Sequence, residues 1–402
     1  MKTTRIYDVA VVGAGVFGAW TALQLARRGK RVLLVDAYGP GHSRSSSGDE
    51  SRIIRMGYGA DEIYTRWSQR SLAQWRELFA ASHNEGLFRK TGVLWLAESG
   101  NSQLQATKEV LQRNGVEFEE LERDAILRRY PQINLEGIAS GIYEPESGAL
   151  MARRAVAAVV AEAVRTGVDF RLAAIAEPRG NGAIETIAGR TQENLATEQF
   201  AAKQFVFACG AWLAKLFPKI LGDRIFPTRQ SVFYFAIPGG DERFSSPALP
   251  TWLIKNDECY GMPDLESRGL KIALDRHGER VDPDTQSRIV TRKEVDEIRR
   301  YVAYRFPAIA DAPIVETRVC QYENTSNGDF LIDRHPDFEN VWLVGGGSGH
   351  GFKHGPSVGE YVAARVLQAS APSGASTQPS AEQLERRFSL ATKESAQHRA
   401  VF

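Results

Sequence analysis

Cysteine is scarce: Cys209, Cys259 and Cys320 are scattered over 402 positions with no CxxC pair. That excludes a disulfide framework and suits a reducing compartment. An excess of one charge is also missing. Fifty basic residues stand against 49 acidic ones, a net charge of +1, so no global field gathers nucleic acid or an anionic membrane surface. No apolar run approaches the length that crosses a bilayer, and the first apolar residues read as a strand rather than a signal peptide. The ending Ala400-Val401-Phe402 carries no peroxisomal tripeptide. A cytoplasmic location is therefore expected, where the sequon Asn324-Thr325-Ser326 is a chance match. His350 and His354, at i and i+4, lack a third ligand and an acidic partner, so no metal site is expected. There is no internal repeat.

What is present begins with Asp8-Val-Ala-Val-Val-Gly-Ala-Gly-Val-Phe-Gly-Ala-Trp20 and the acid that ends Arg31-Val-Leu-Leu-Val-Asp36. The pattern is buried strand, glycine turn, helix (Val16 to Arg28, stopped by Gly29) and second buried strand. Gly13 permits the turn, Gly15 lets backbone approach a pyrophosphate, and Gly18 lets helix and strand pack closely. The helix start offers unpaired N–H groups to phosphate. Asp36 is placed to accept from both hydroxyls of an adenosine ribose, which suits FAD or NAD and disfavours a 2′-phosphate. A dinucleotide site follows.

At 402 residues the chain exceeds what one core usually serves, so two domains are expected. A Gly- and Ser-rich loop (37–51) leads to Arg52-Ile-Ile-Arg55, whose two arginines around an apolar pair suggest an anchored site segment. A helix from about Asp61, as capping residue, to Ala81 carries Trp67, Leu72, Trp75 and Leu78 on a buried stripe. Strands are expected at Thr91–Leu96, Val168–Leu172 and Glu198–Phe207, and a strand and turn over Gly141–Gly148. Helices are expected at Gln103–Asn114 and Ala152–Thr166. The turn Ala208-Cys209-Gly210-Ala211-Trp212 sits at a strand end, where an open α/β sheet meets its ligand. From Pro227 to Ile237 and Cys259 to Asp275 the period drops to two, as in an antiparallel sheet. Then come a helix at Lys293–Phe306, strands at Thr317–Tyr322 and Val341–Val344, a helix from about Ser357, a loose linker over 371–380 and a final helix. Dinucleotide elements open the chain, recur near 150 to 215 and close it, so the domains interleave. The run Gly345 to Gly355, ahead of a helix start, favours FAD, since reduced flavin presents an anionic edge there.

At this point the residues resemble the monomeric sarcosine oxidase and N-methyltryptophan oxidase group of the D-amino-acid-oxidase-like flavoproteins. The likeness rests on Val12-Gly-Ala-Gly15 with Asp36; on Gly48-Asp49, Arg52-Ile-Ile-Arg55 and Tyr58-Gly59; on Lys90-Thr-Gly-Val-Leu94 and Glu144-Pro-Glu-Ser-Gly148; on Tyr260-Gly261, Gly269-Leu-Lys271 and Asp282-Pro-Asp-Thr285; and on Cys320-Gln-Tyr322, Phe330-Leu-Ile-Asp333 and Ser348-Gly-His-Gly-Phe-Lys353. It implies an α/β fold: a Rossmann-like FAD-binding domain (1–82, 149–222 and 328–402) interleaved with an α+β substrate domain built on an antiparallel sheet (83–148 and 223–327).

The resemblance implies FAD held by Gly13, Gly15, Val16, Phe17, Gly18, Asp36, Ser47, Gly48, Ser51, Arg52, Cys209, Gly210, Trp212, Gly347, Ser348, Gly349, Gly351, Phe352 and Lys353. A lone cysteine in a strand is more often a quiet core thiol, but the position matching Cys320 carries the flavin 8α carbon as a thioether. Arg55 and Lys353 match the pair that grips a substrate carboxylate, and a planar guanidinium plus a second cation suits that task. Lys271 matches the lysine that activates O2; Arg52, Tyr260 and Tyr322 match positions around the ring and pocket. The chain departs at Asp275, where the family has histidine. Asp275 is able to attract a cationic amine, His277 to replace the missing histidine through a bulge, or neither to reach the pocket. The implied reaction is oxidation of a secondary-amine or N-alkyl amino acid by a monomer that releases H2O2. Alternatives are a cyclic imino acid or fructosyl amino acid as substrate, an amine dehydrogenase subunit passing electrons to a partner, and a non-flavin NAD dehydrogenase.

Overall fold

The strand Ile6–Val12, the helix Val16–Arg27 and the strand Val32–Asp36 follow one another as the glycine pattern requires. The computed structural model describes residues 5–191, 196–367 and 381–396; the linker expected over 371–380 lies outside the described residues. Ile6–Val12 pairs in parallel with Val32–Asp36 on one side and Thr197–Phe207 on the other. Continuous apolar runs suit a sheet covered on both faces, and Val9 to Val12 and Val32 to Val35 are all buried. The sheet has seven strands. Asp169–Ile175 lies beyond Val32–Asp36, and Val341–Gly345 lies beyond Thr197–Phe207. Leu331–Arg334 and Thr186–Thr191 add antiparallel pairings. Segments from the beginning, middle and end of the chain thus build one sheet.

Helix Val16–Arg27 packs against helix Gly355–Val366. A Cβ on Gly359 would stand 2.6 Å from the backbone carbon of Trp20, so this glycine sets how closely the helices approach. The helix Glu62–Ala81 buries Leu72, Trp75 and Leu78, with Trp75 meeting Trp20 edge-on at 5.0 Å. Its expected cap is different. Asp61 holds the N-cap position but accepts no capping hydrogen bond; its carboxylate accepts from Arg387 Nη1 at 2.8 Å instead, a charge-assisted contact that wins over a neutral N–H.

A second, eight-stranded sheet runs in the order Ile314–Thr325, Ile225–Phe235, Leu270–Leu274, Cys259–Met262, Thr251–Ile254, Val93–Ala97, Ser140–Glu144, Glu119–Glu122. Its pairings are antiparallel except that Thr251–Ile254 runs parallel to Val93–Ala97. That seam joins two stretches distant in sequence, which no hairpin constrains to run opposite ways. Helix Arg292–Arg305 starts from a capping box of Thr291 and Glu294 and packs Ile298 and Val302 into a core with Phe233, Phe235 and Trp252. A small sheet of Arg52–Ile54, Gly148–Leu150 and Phe88–Arg89 completes the strands among the described residues. On the long pair Ile225–Phe235 and Ile314–Thr325, Cys320 stands opposite Gln230 and Tyr322 opposite Thr228.

Candidate active site

A cavity of about 470 Å³ has walls from both large sheets. Gly13, Gly15, Val16, Phe17 and Asp36 come from the first glycine turn and the strand after it; Cys209, Gly210 and Trp212 from the turn after Thr197–Phe207. Gly347, Gly349, Gly351 and Phe352 come from the late glycine run, and Ser47, Arg52, Cys320 and Tyr322 complete the wall. Gly18, Gly48, Ser51, Ser348 and Lys353 are not in the lining. Gly18 lies behind it, where a Cβ would meet the Gly13 carbonyl oxygen at 1.8 Å, and Gly48 is pressed against the His42 carbonyl. Ser348 Oγ accepts from Thr325 N–H at 3.2 Å.

Two contacts preorganise the turn. Asp36 accepts from the N–H groups of Ala14, Tyr38 and Gly39 at 2.7, 2.8 and 2.8 Å, and Ser47 Oγ accepts from Val16 N–H at 3.2 Å. A Cβ on Gly15 or Gly347 would meet no protein atom closer than 3.7 Å. Both residues line the cavity, so a side chain there would take up space in it rather than clash with protein.

At the Cys320 end, Arg52 donates to Cys320 Sγ at 3.1 Å and, through its other amino group, to Asp49. Asp49 also accepts from Lys271 Nζ at 2.6 Å and from the Tyr234 hydroxyl at 3.2 Å. Lys271 donates to the Ser51 carbonyl at 2.8 Å and reaches Ser51 Oγ at 3.3 Å. Asp49 and Lys271 are 3 % and 1 % exposed. Burial pushes the Asp49 carboxyl up, but the charges of Lys271 and Arg52 outweigh it and hold it well below the usual carboxylate range. Burial pulls Lys271 below its ordinary value against the opposing pull of Asp49.

Asp275 is outside the cavity lining but accepts from the hydroxyl of Tyr322, which lines it, at 3.0 Å; His277 is half-buried, two residues beyond it on the chain. Tyr260 is a half-buried neighbour of Arg52 and Tyr322, its hydroxyl held above its usual value by burial. Arg55 and Lys353 converge on Tyr58. The Arg55 guanidinium lies over the Tyr58 and Trp95 rings at 4.2 and 4.6 Å, and Lys353 Nζ stands 2.8 Å from the Tyr58 hydroxyl oxygen. Both basic side chains are buried.

These residues take part in a pattern found elsewhere. The family model described as FAD dependent oxidoreductase (DAO) matches residues 8–365. The chain belongs to that family. It is 32 % identical to the monomeric sarcosine oxidase of Bacillus sp. (strain B-0618) over 90 % of this chain and 92 % of that one. It is 28 % identical to the N-methyl-L-tryptophan oxidase of Citrobacter koseri (strain ATCC BAA-895 / CDC 4225-83 / SGSC4696) over 91 % and 96 %. The fold is that of L-proline dehydrogenase from P. horikoshii, with a TM-score of 0.77 at 20 % identity over 92 % of this chain and 96 % of that one.

The residues present fit the dinucleotide of an FAD-dependent oxidoreductase: an acid at the second strand end, glycines whose missing side chains leave room, and the start of helix Val16–Arg27 on the cavity wall. Sequence reasoning did not give Asp49 its part as the shared counter-ion, because its partner Lys271 lies 222 residues on. It also passed over Glu144, which accepts from Met56 N–H, Gly57 N–H, Trp95 Nε1 and Ser147 Oγ at 2.7, 3.0, 2.8 and 2.6 Å; its place inside Glu144-Pro-Glu-Ser-Gly148 was the available signal. Glu323 lines the cavity with an unpartnered Oε1, and burial raises its carboxyl to about 7. His350 and His354 are buried around Tyr58, and the described residues contain no group of three or more His, Cys, Asp or Glu placed to hold a metal ion. Asn324, in the sequon, is fully buried. No helix among the described residues is long and apolar enough to cross a membrane.

Proposed function

We propose that the enzyme is an oxidase of a secondary-amine or N-alkyl amino acid, a small molecule it oxidises with O2 as acceptor. One observation carries the reading: two buried basic side chains, Arg55 and Lys353, meet at Tyr58, and Lys353 follows directly on Phe352 of the cavity wall. Bound FAD supplies the hydride acceptor for the carbon next to nitrogen and the route of the electrons to O2. Arg55 and Lys353 hold the substrate carboxylate and so fix which carbon faces that acceptor. Asp275, held by the Tyr322 hydroxyl, places negative charge on the amine side. Lys271, anchored by Asp49, supplies the positive charge that favours reduction of O2 to H2O2. The resulting imine leaves to hydrolyse.

Cys320 is proposed as the tether, an 8α-S-cysteinyl bond, with Arg52 donating to its sulfur. Peroxide release over sarcosine, other N-methyl amino acids, L-pipecolate, L-proline and fructosyl amino acids tests the substrate class. Bleaching of the flavin without peroxide would replace an oxidase by a dehydrogenase. For the tether, yellow colour stays in the pellet after acid precipitation of the parent and moves to the supernatant in Cys320→Ser; colour remaining with Cys320→Ser sinks that assignment.

A further inference from the structure

The inference deepens the proposed reading of Arg55 and Lys353 as the carboxylate site and rests on it. The two cations are not equivalent. Arg55 has a counter-charge nearby in Glu144, whose four donors include Gly57 N–H and Trp95 Nε1; Arg55 itself donates to the Gly57 carbonyl and covers the Trp95 ring. Lys353 is 4 % exposed and forms no ion pair among the described residues, with Asp275 and Glu144 acting on it only at longer range. A buried ammonium without a paired anion tends to neutralise.

Counting hydrogens around Tyr58 leads to the same place. Its hydroxyl has one proton and stands 2.8 Å from Lys353 Nζ, 2.8 Å from His354 Nε2 and 3.5 Å from His350 Nδ1. A charged Lys353 only donates, and the buried Ser68 Oγ near Tyr58 makes no hydrogen bond, so the acceptors within reach of the Tyr58 proton are the two imidazoles. If His354 Nε2 accepts, the His354 proton moves to Nδ1, which is buried with no partner, and an orphaned N–H results. If His350 Nδ1 accepts, the bond is too long to be strong. A neutral Lys353 eases the conflict. Tyr58 donates to the Nζ lone pair, His354 Nε2–H donates to Tyr58, and one Nζ–H donates to the His350 carbonyl at 3.0 Å; one Nζ–H is left over, as in the charged form, but His354 Nδ1 keeps a lone pair in place of an orphaned N–H. Electrostatics agrees: burial, then Arg55, pull Lys353 well below its ordinary value against Asp275 and Glu144, and burial does the same to His354.

We propose that Lys353 rests as a neutral amine and accepts the ammonium proton of a zwitterionic substrate. One N–H bond of the substrate ammonium breaks and one Nζ–H bond forms, with no change of oxidation state. The lone pair freed on the substrate nitrogen is the one that oxidation of the neighbouring C–H bond requires. The lysine, now cationic, pairs with the carboxylate, while Tyr58 turns its proton from Nζ to the imidazoles.

The test uses the flavin-loaded enzyme without oxygen and two ligands that cannot be oxidised. Propanoate has a carboxylate and no amine; 2-aminoisobutyrate has both but no hydrogen on the one carbon bonded to nitrogen. Calorimetry near pH 7.5 in buffers of different ionisation heat counts the protons exchanged. Propanoate is expected to take up about one proton from solvent and the amino ligand about none. In Lys353→Arg, whose guanidinium stays charged, uptake with propanoate is expected to vanish. Without any variant, the propanoate Kd should rise with pH, approaching about tenfold per unit between pH 7 and 9. Propanoate binding with no uptake and a flat Kd overturns the proposal, as does uptake that survives Lys353→Arg. Failure of both ligands to bind removes the carboxylate site itself, and this inference with it.

Discussion

Asp49 shows what one carboxylate arranges. It fixes Lys271 at 2.6 Å and Arg52 through a second charge-assisted bond, so the cation assigned to O2 cannot swing away. Lys271→Met is expected to slow reoxidation of the reduced enzyme by about 10²–10³-fold, the scale for losing one preorganised electrostatic contact; rapid mixing with oxygenated buffer measures it, and an unchanged rate takes Lys271 out of the chemistry. Glu323 gives a prediction of a different kind. Burial raises its carboxyl from 4.5 to about 7, so the folded protein binds more protons than the unfolded chain across that interval. The stability this group contributes is complete below pH 4.5 and is lost as pH climbs through 7, a change of about 3 kcal/mol. Denaturation curves at pH 5 and pH 8 should show that slope in the parent and lack it in Glu323→Gln. Individual chemistry of this sort was half legible. Arg55, Lys353, Lys271 and Cys320 stood out through the resemblance, whereas Asp49, Tyr58 and Glu144 stand in its motifs but show their part as holding groups only when remote segments meet.

Elements were read more easily than their partners. The opening strand, turn, helix and strand, the helix Glu62–Ala81 and the alanine-rich helix Ala152–Arg165 follow from periodicity and glycine placement, which act over a few residues. The parallel seam of Thr251–Ile254 on Val93–Ala97 does not, since alternation fixes which face a strand buries and says nothing of its neighbour's direction. Asp61 misled for a related reason: a capping signature is local, and its competitor Arg387 arrives from the far end of the chain. Gly359 belongs to this scale. Adding a branched side chain where a Cβ already meets the Trp20 backbone at 2.6 Å must push two helices apart, and Gly359→Val is expected to cost about 1–3 kcal/mol in urea denaturation; a smaller effect than Gly359→Ala would show that the helices do not meet there.

Across the whole molecule, the last described helix, Ala381–Phe388, fastens late chain onto early chain. Arg387 bonds both Asp61 and Asp329, and Phe388, fully buried, packs on Trp67 and Phe330. Phe330 in turn stacks on His350 at 5.0 Å. Phe388→Ala is therefore expected to destabilise by about 3–5 kcal/mol, read as a lowered midpoint in thermal or urea unfolding, and to loosen the His350 and Tyr58 surroundings enough to weaken propanoate binding.

The chamber for the dinucleotide draws its floor from residue 13 and its far wall from residue 352. A growing polypeptide still attached to the ribosome therefore owns only part of the mould for most of its synthesis. Acquisition of the pigment is an event for the finished chain, and any product cut short before Phe352 emerges colourless however well its opening strands have folded.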